Sequence, residues 1–109
     1  MALMHAAPGE RVHIPSLVSM PRDEKSSALV KTGSFEAVHL VLRSGSSIPS
    51  HAVDGYITLH CLEGAVIVEA CTRAELQPGD WLYLEPGEKH ALIAVDDCSL
   101  LLTILFNSS

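Results

Sequence analysis

Basic residues are few in this chain. Seven Lys and Arg (Arg11, Arg22, Lys25, Lys31, Arg43, Arg73 and Lys89) lie scattered, and thirteen acidic residues outweigh them to a formal charge of -6. A phosphate backbone is gripped by clustered Lys and Arg, so this balance argues against a nucleic-acid partner. Long apolar runs are missing too: nothing approaches the ~20 residues that span a bilayer. The opening residues, MALMHAAPGERVHIP, lack the basic and long apolar regions of a secretory leader. Three cysteines (Cys61, Cys71 and Cys98) form no CxxC pair, and each sits in an apolar, strand-like segment. They are expected to be buried free thiols in a reducing cytoplasm. Helical periodicity is nearly absent, with residues 22–29 (RDEKSSAL) suggesting one short turn.

The remainder is apolar and punctuated. With 48% hydrophobic and 18% charged residues the composition is globular, and 109 residues make one domain with a modest core. Strands are predicted over Arg11–Ile14, Ala28–Lys31, Phe35–Arg43, Tyr56–Leu62, Ala65–Cys71, Trp81–Leu84, His90–Val95 and Ser99–Phe106. Gly, Pro, Ser and Asp mark the breaks at 44–47, 63–64, 77–80, 86–87 and 96–97. Short strands at this spacing, without linker or internal repeat, indicate a sandwich or barrel. Along 35–43, Val38, Leu40 and Leu42 share one face while Ala37, His39 and Val41 share the other. In the last strand Cys98, Leu100, Leu102, Ile104 and Phe106 form an apolar face, and Ser99, Leu101, Thr103 and Leu105 a mixed one. Such strands suit a barrel whose outer wall is partly covered.

Two blocks carry more information. Gly45 to Gly64 reads GSSIPSHAVDGYITLHCLEG, and Gly79 to His90 reads GDWLYLEPGEKH. Together they resemble the paired motifs of the cupin superfamily, over roughly residues 35–106. The nearest likeness is to small single-domain cupins of the cupin 2, RmlC-like kind. That resemblance implies an all-β, double-stranded antiparallel β-helix barrel, or cupin jelly roll. One cupin domain would then fill 1–109, with a barrel core at 28–106 and an N-terminal arm at 1–27. The full family motif converges three imidazoles and a carboxylate on one divalent metal, with positions left open for water or substrate. Here His51 matches the first histidine and His90 the last. The second histidine falls on Val53, the glutamate on Ile57, and the proline of Pro-x-Gly on Glu85.

Two imidazoles make a poor divalent site. The expected ligand-binding set is His51, His90, Val53 and Ile57, with His51 and His90 as weak metal ligands. A divalent metal (Zn, Fe, Mn or Ni) is expected at partial occupancy if at all. His60 is the outside candidate for a third ligand. Alternation from Ile57 points it to the opposite face, so a β-bulge would have to turn it inward. Asp54, beside the Val53 gap, is a lesser candidate. Cys61 lies about 13 Å along the strand from Ile57 at ~3.3 Å per residue, too deep to join. His39 reads as surface or interface, and His5 and His13 as solvated. Trp81 and Tyr83 read as core residues first and pocket wall second.

Three functions follow. The favoured one is small-molecule binding at the barrel mouth, with His51 and His90 as polar anchors for a carboxylate or phenol-like group and Val53 and Ile57 as apolar lining. The alternatives are a metal-dependent cupin enzyme of the oxygenase, isomerase or decarboxylase type, and an accessory barrel that binds another protein. A metal-free variant would use His51 or His90 for proton transfer. The remaining expectations are a cytoplasmic protein with no membrane or nucleic-acid partner, and a homodimer. That dimer would form on the outer sheet face, with Arg11–Met20 contributing.

Overall fold

The computed structural model describes residues 5–22 and 26–106. Their regular structure is almost wholly strand. In chain order these are β1 (Ser27–Lys31), β2 (Phe35–Leu42), β3 (Ser47–His51), β4 (Gly55–Glu63), β5 (Val66–Glu69), β6 (Arg73–Leu76), β7 (Trp81–Leu84), β8 (His90–Ala94) and β9 (Cys98–Phe106). All pairings are antiparallel. One sheet runs β1-β2-β9-β4-β7 and the other β3-β8-β5-β6. Among the described residues no helix is long and apolar enough to cross a membrane.

Period-two alternation decides which side chains meet. Ile57, Leu59 and Cys61 on β4 stand opposite Ile104, Leu102 and Leu100 on β9. Leu40 and Leu42 of β2 continue that inner row, and Leu82 and Leu84 of β7 extend it on the other side. From the second sheet Val66, Val68, Leu76, Leu92 and Ala94 close the core against them. Leu59, Cys61, Val66, Cys98 and Leu100 are all wholly buried. Each large aliphatic side chain so buried contributes ~1.5–3 kcal/mol, and here that burial takes the place of aromatic packing.

Several elements differ from the sequence reading. β3 and β6 were not predicted. β3 contains Pro49 and runs along a sheet edge, where the missing N–H costs no ladder bond. Arg11–Ile14 forms no strand, and the short helical turn is 3-10 and lies at Leu17–Ser19. The strand predicted at Ala28–Lys31 is β1, which starts one residue earlier at Ser27, so 27–29 belong to the strand and not to the suggested helical turn; residues 23–25 of that turn fall outside the described set. Trp81 and Tyr83 face outward, 57% and 54% exposed, because Leu82 and Leu84 take the inward positions of β7. Cys71, expected to be buried, is exposed in the β5–β6 turn.

The N-terminal arm lies on the outer face of the five-stranded sheet. It starts beside β1, where the Ala6 N–H donates to the Leu29 carbonyl at 2.9 Å. Val12, His13, Ile14 and Pro15 then line a cavity of about 210 Å³ with Leu29 and His39. Leu17 N–H reaches the Glu63 carboxylate at 2.9 Å, Pro21 accepts from the Arg43 guanidinium, and Arg22 pairs with Asp97. His39 is buried within the single chain beside this arm, and Val41 is buried as well, although the sequence reading left them for a partner. His39 Nε2 lies 2.6 Å from the Ser99 hydroxyl, itself wholly buried, so the imidazole has a polar partner inside the protein.

Candidate functional site

The β3–β8 ladder brings the motif histidines together. His51 closes β3 and His90 opens β8, and the two residues are direct cross-strand partners. Their ring centroids are 4.4 Å apart, with planes inclined by 53°. His90 is 2% exposed, whereas His51, on the edge strand, is exposed.

The hydrogen bonds around the rings settle which nitrogen is offered. His51 Nδ1 lies 3.0 Å from the Pro49 carbonyl, and His90 Nδ1 lies 3.1 Å from the Glu88 carbonyl. A carbonyl can only accept, so each Nδ1 carries the proton. In the neutral ring each Nε2 is then a lone-pair donor, available to a metal or to a hydroxyl. Both bonds span two residues, so the backbone just before each histidine sets its tautomer: Pro49 within β3 for His51, and Glu88 in the β7–β8 loop for His90.

Glu88 was not singled out in the sequence, yet it shapes this end of the barrel. Its carboxylate accepts the Glu85 N–H at 3.1 Å and the Cys71 N–H at 3.2 Å, tying the β7–β8 loop to the β5–β6 turn. The backbone N–H groups of Glu85 and Cys71 hold the carboxyl below its ordinary value, helped by the Cys71 thiol. The same contact with Glu88 raises the Cys71 thiol. The available signal was an acid three residues after Glu85 across Pro86-Gly87, the spacing at which a carboxylate closes its own turn.

The other candidates separate. Val53 is half-buried against the core, and its carbonyl accepts the Gly87 N–H at 2.8 Å. Ile57 is 2% exposed and belongs to the core cluster between Leu84 and Ile104. His60 does not join them. It pairs with Trp81 and Leu101 on the outer face, and the β4 irregularity falls between Cys61 and Glu63, past the point where it could turn His60 inward. Asp54 is exposed at the bend before β4, and His5 and His13 are exposed on the arm. Among the described residues no group of three or more His, Cys, Asp or Glu side chains is placed to hold a metal ion. With Val53 and Ile57 apolar, the residues present do not fit a four-ligand metal centre.

Two curved antiparallel sheets with a histidine pair at one end define a jelly-roll barrel of the cupin type. No family model matches the chain, and no curated protein does. Solved structures do. A conserved protein of unknown function from Streptococcus pyogenes superposes with a TM-score of 0.80 at 21% identity, over 100% of both chains. A cupin superfamily protein from Desulfitobacterium hafniense gives 0.77 at 18% identity, covering 89% of this chain and 94% of that one. An RmlC-like cupin from Desulfovibrio desulfuricans gives 0.72 at 19%, covering 87% and 97%. The chain is a small cupin-fold protein.

Proposed function

We propose that this protein binds a small molecule at the barrel mouth through a hydroxyl or phenolic group that donates to His51 and His90. The observation that carries the reading is the matched use of Nδ1, which leaves an Nε2 acceptor on each of two rings whose centroids are 4.4 Å apart. A neutral pair of this kind accepts hydrogen bonds and repels a carboxylate anion, so of the two ligand classes considered from sequence the phenol-like one is favoured. Val53 and the rim above Ile57 supply apolar contact.

The same lone pairs also suit two positions of a divalent metal, but two imidazoles without a third protein ligand bind it weakly. The reading is therefore a binding barrel with a degenerate metal site, set against a metal-dependent enzyme.

Titration of ¹⁵N-labelled protein, followed through the histidine ring resonances, tests it. Catechol should shift His51 and His90 Nε2 and leave His5 and His13 unmoved, whereas benzoate should shift none of the four. His90→Ala should abolish the catechol response and His5→Ala should not. Benzoate binding as well as catechol would overturn the ligand class. Zn²⁺ that stays stoichiometric through dialysis would overturn the degenerate-site reading.

A further inference from the structure

Glu88 uses its main chain and its side chain for different tasks. Its N–H donates to the Glu85 carbonyl at 3.2 Å, which closes the turn Glu85-Pro86-Gly87-Glu88. Proline second and glycine third, with Gly87 at φ +79°, make this a type II turn. The Gly87 N–H donates to the Val53 carbonyl at 2.8 Å, which ties the turn to the segment between β3 and β4. The two carboxylate oxygens are engaged separately: Oε1 accepts the Glu85 N–H at 3.1 Å, and Oε2 the Cys71 N–H at 3.2 Å. The Glu88 carbonyl, finally, lies 3.1 Å from His90 Nδ1. The side chain thus pins residue 88 from the β5–β6 turn, while the main chain of the same residue presents an acceptor to His90.

His90 depends on that acceptor. The residue is 2% exposed, so water offers its ring little substitute for a lost protein partner. In a neutral imidazole the nitrogen that keeps the proton is set by the bonds the ring makes. Withdrawal of the Glu88 carbonyl frees the proton to move to Nε2, which turns that nitrogen from an acceptor into a donor. His51 is arranged differently: its carbonyl partner, Pro49, belongs to the edge strand β3 and has no side chain that could anchor it elsewhere.

We infer that Glu88 is the positioning residue of the mouth: its carboxylate, anchored on the β5–β6 turn, holds its own carbonyl against His90 and so keeps His90 Nε2 an acceptor. The inference rests on the ligand reading above for the use made of that nitrogen, and it adds a means of control. The anchor belongs to a different turn from the histidine, so a change on the β5–β6 turn reaches the site through Glu88. Cys71 is the handle for such a change. It is exposed, and its thiol contacts the Glu88 carboxylate. A negative charge added to that thiol opposes the carboxylate at close range, loosens the anchor and releases the carbonyl from His90.

Long-range ¹H–¹⁵N spectra of the ligand-free chain at about pH 8, where free histidine is neutral, read the tautomer of each ring. Wild-type His90 should show a protonated Nδ1 and an unprotonated Nε2. In Glu88→Ala the two nitrogen resonances should move toward each other as the tautomers mix, and catechol affinity should fall several-fold. Glu88→Gln, which keeps one carbonyl oxygen for one of the two N–H groups, should lie between. His51 should keep its tautomer in both variants. Gly79→Ala perturbs the turn bonded to Cys61 at the other end of β4 and should leave His90 unchanged. Alkylation of Cys71 makes the test in the wild-type sequence. A carboxymethyl group should mix the His90 tautomers, and the neutral carbamidomethyl group of similar size should do so less. A His90 tautomer unchanged in folded Glu88→Ala would overturn the inference, as would one indifferent to the charge placed on Cys71. Equal mixing in Gly79→Ala would reduce Glu88 to a general part in stability and overturn it too. Because the tautomer is read without ligand, these failures are distinct from a failure of catechol to bind.

Discussion

Gly64 closes the first motif block at the β4–β5 turn, where φ is +78°. A Cβ built there would lie 2.0 Å from the Asp97 carbonyl oxygen and 2.8 Å from both Cα and Cβ of Cys98. The obstruction is mostly backbone, at the start of β9, which cannot swing aside as a long side chain does. Gly64→Ala therefore meets two costs: about 1–2 kcal/mol for the left-handed conformation and about 1–3 kcal/mol for forcing packed groups apart. Gly79 separates them. Its φ is +94°, and a Cβ there meets nothing within 4 Å. Gly79→Ala should lose only about 1–2 kcal/mol, or roughly 5–10 °C in Tm for a domain near this size. Gly64→Ala should lose about 2–5 kcal/mol, or roughly 10–25 °C. Thermal melts by circular dichroism under identical buffer compare the two. If both variants melt together, the close approach of the β4–β5 turn to β9 is not a stability determinant and the reasoning fails.

The thiols should divide by burial: burial pushes Cys98 up to about 11, and burial also raises Cys61. A thiol reagent at neutral pH should consume Cys71 while the protein is folded and reach Cys61 and Cys98 only in denaturant; prompt reaction of all three would contradict the described core. Acid should loosen the Glu88 loop and the Asp97 contacts, whose carboxyls both sit below their ordinary values of 4.5 and 3.8. Depressed carboxyls stabilise the fold above those values, and the contribution is lost as pH falls through the folded-state values. Melting temperature should accordingly drop through the acid range, and Glu88→Gln should flatten the drop. An unchanged acid slope in that variant would remove Glu88 from the account.

The core was legible because its strands alternate. Ile57, Leu59 and Cys61 recur at period two, as do Leu100, Leu102 and Ile104, and the ladder places them opposite one another. β7 was legible as a strand but not in its orientation. All four residues of WLYL are apolar, so only pairing with β4 shows which pair faces water. β3 was hidden because Ser47, Pro49 and Ser50 read as loop, while its pairing with β8 depends on partners forty residues away. At the site, motif spacing singled out His51 and His90 without revealing tautomers, which depend on carbonyls two residues back. The burial of His39 was illegible, because it requires the arm to return across the sheet.

One consequence concerns time rather than geometry. His90 sits in a strand flanked on both sides, by β3 and β5, whereas His51 sits in a strand held on one side only, with a register irregularity between Ile48 and His51. Edge strands held by few bonds open more often than interior ones, on the scale read by amide exchange. Half of the pair is thus fixed and half is borne by a segment that peels. A molecule spanning both rings would staple β3 to β8, slowing exchange in Ser47–His51 far more than in His90–Ala94. Release would then be governed by the breathing of one five-residue strand.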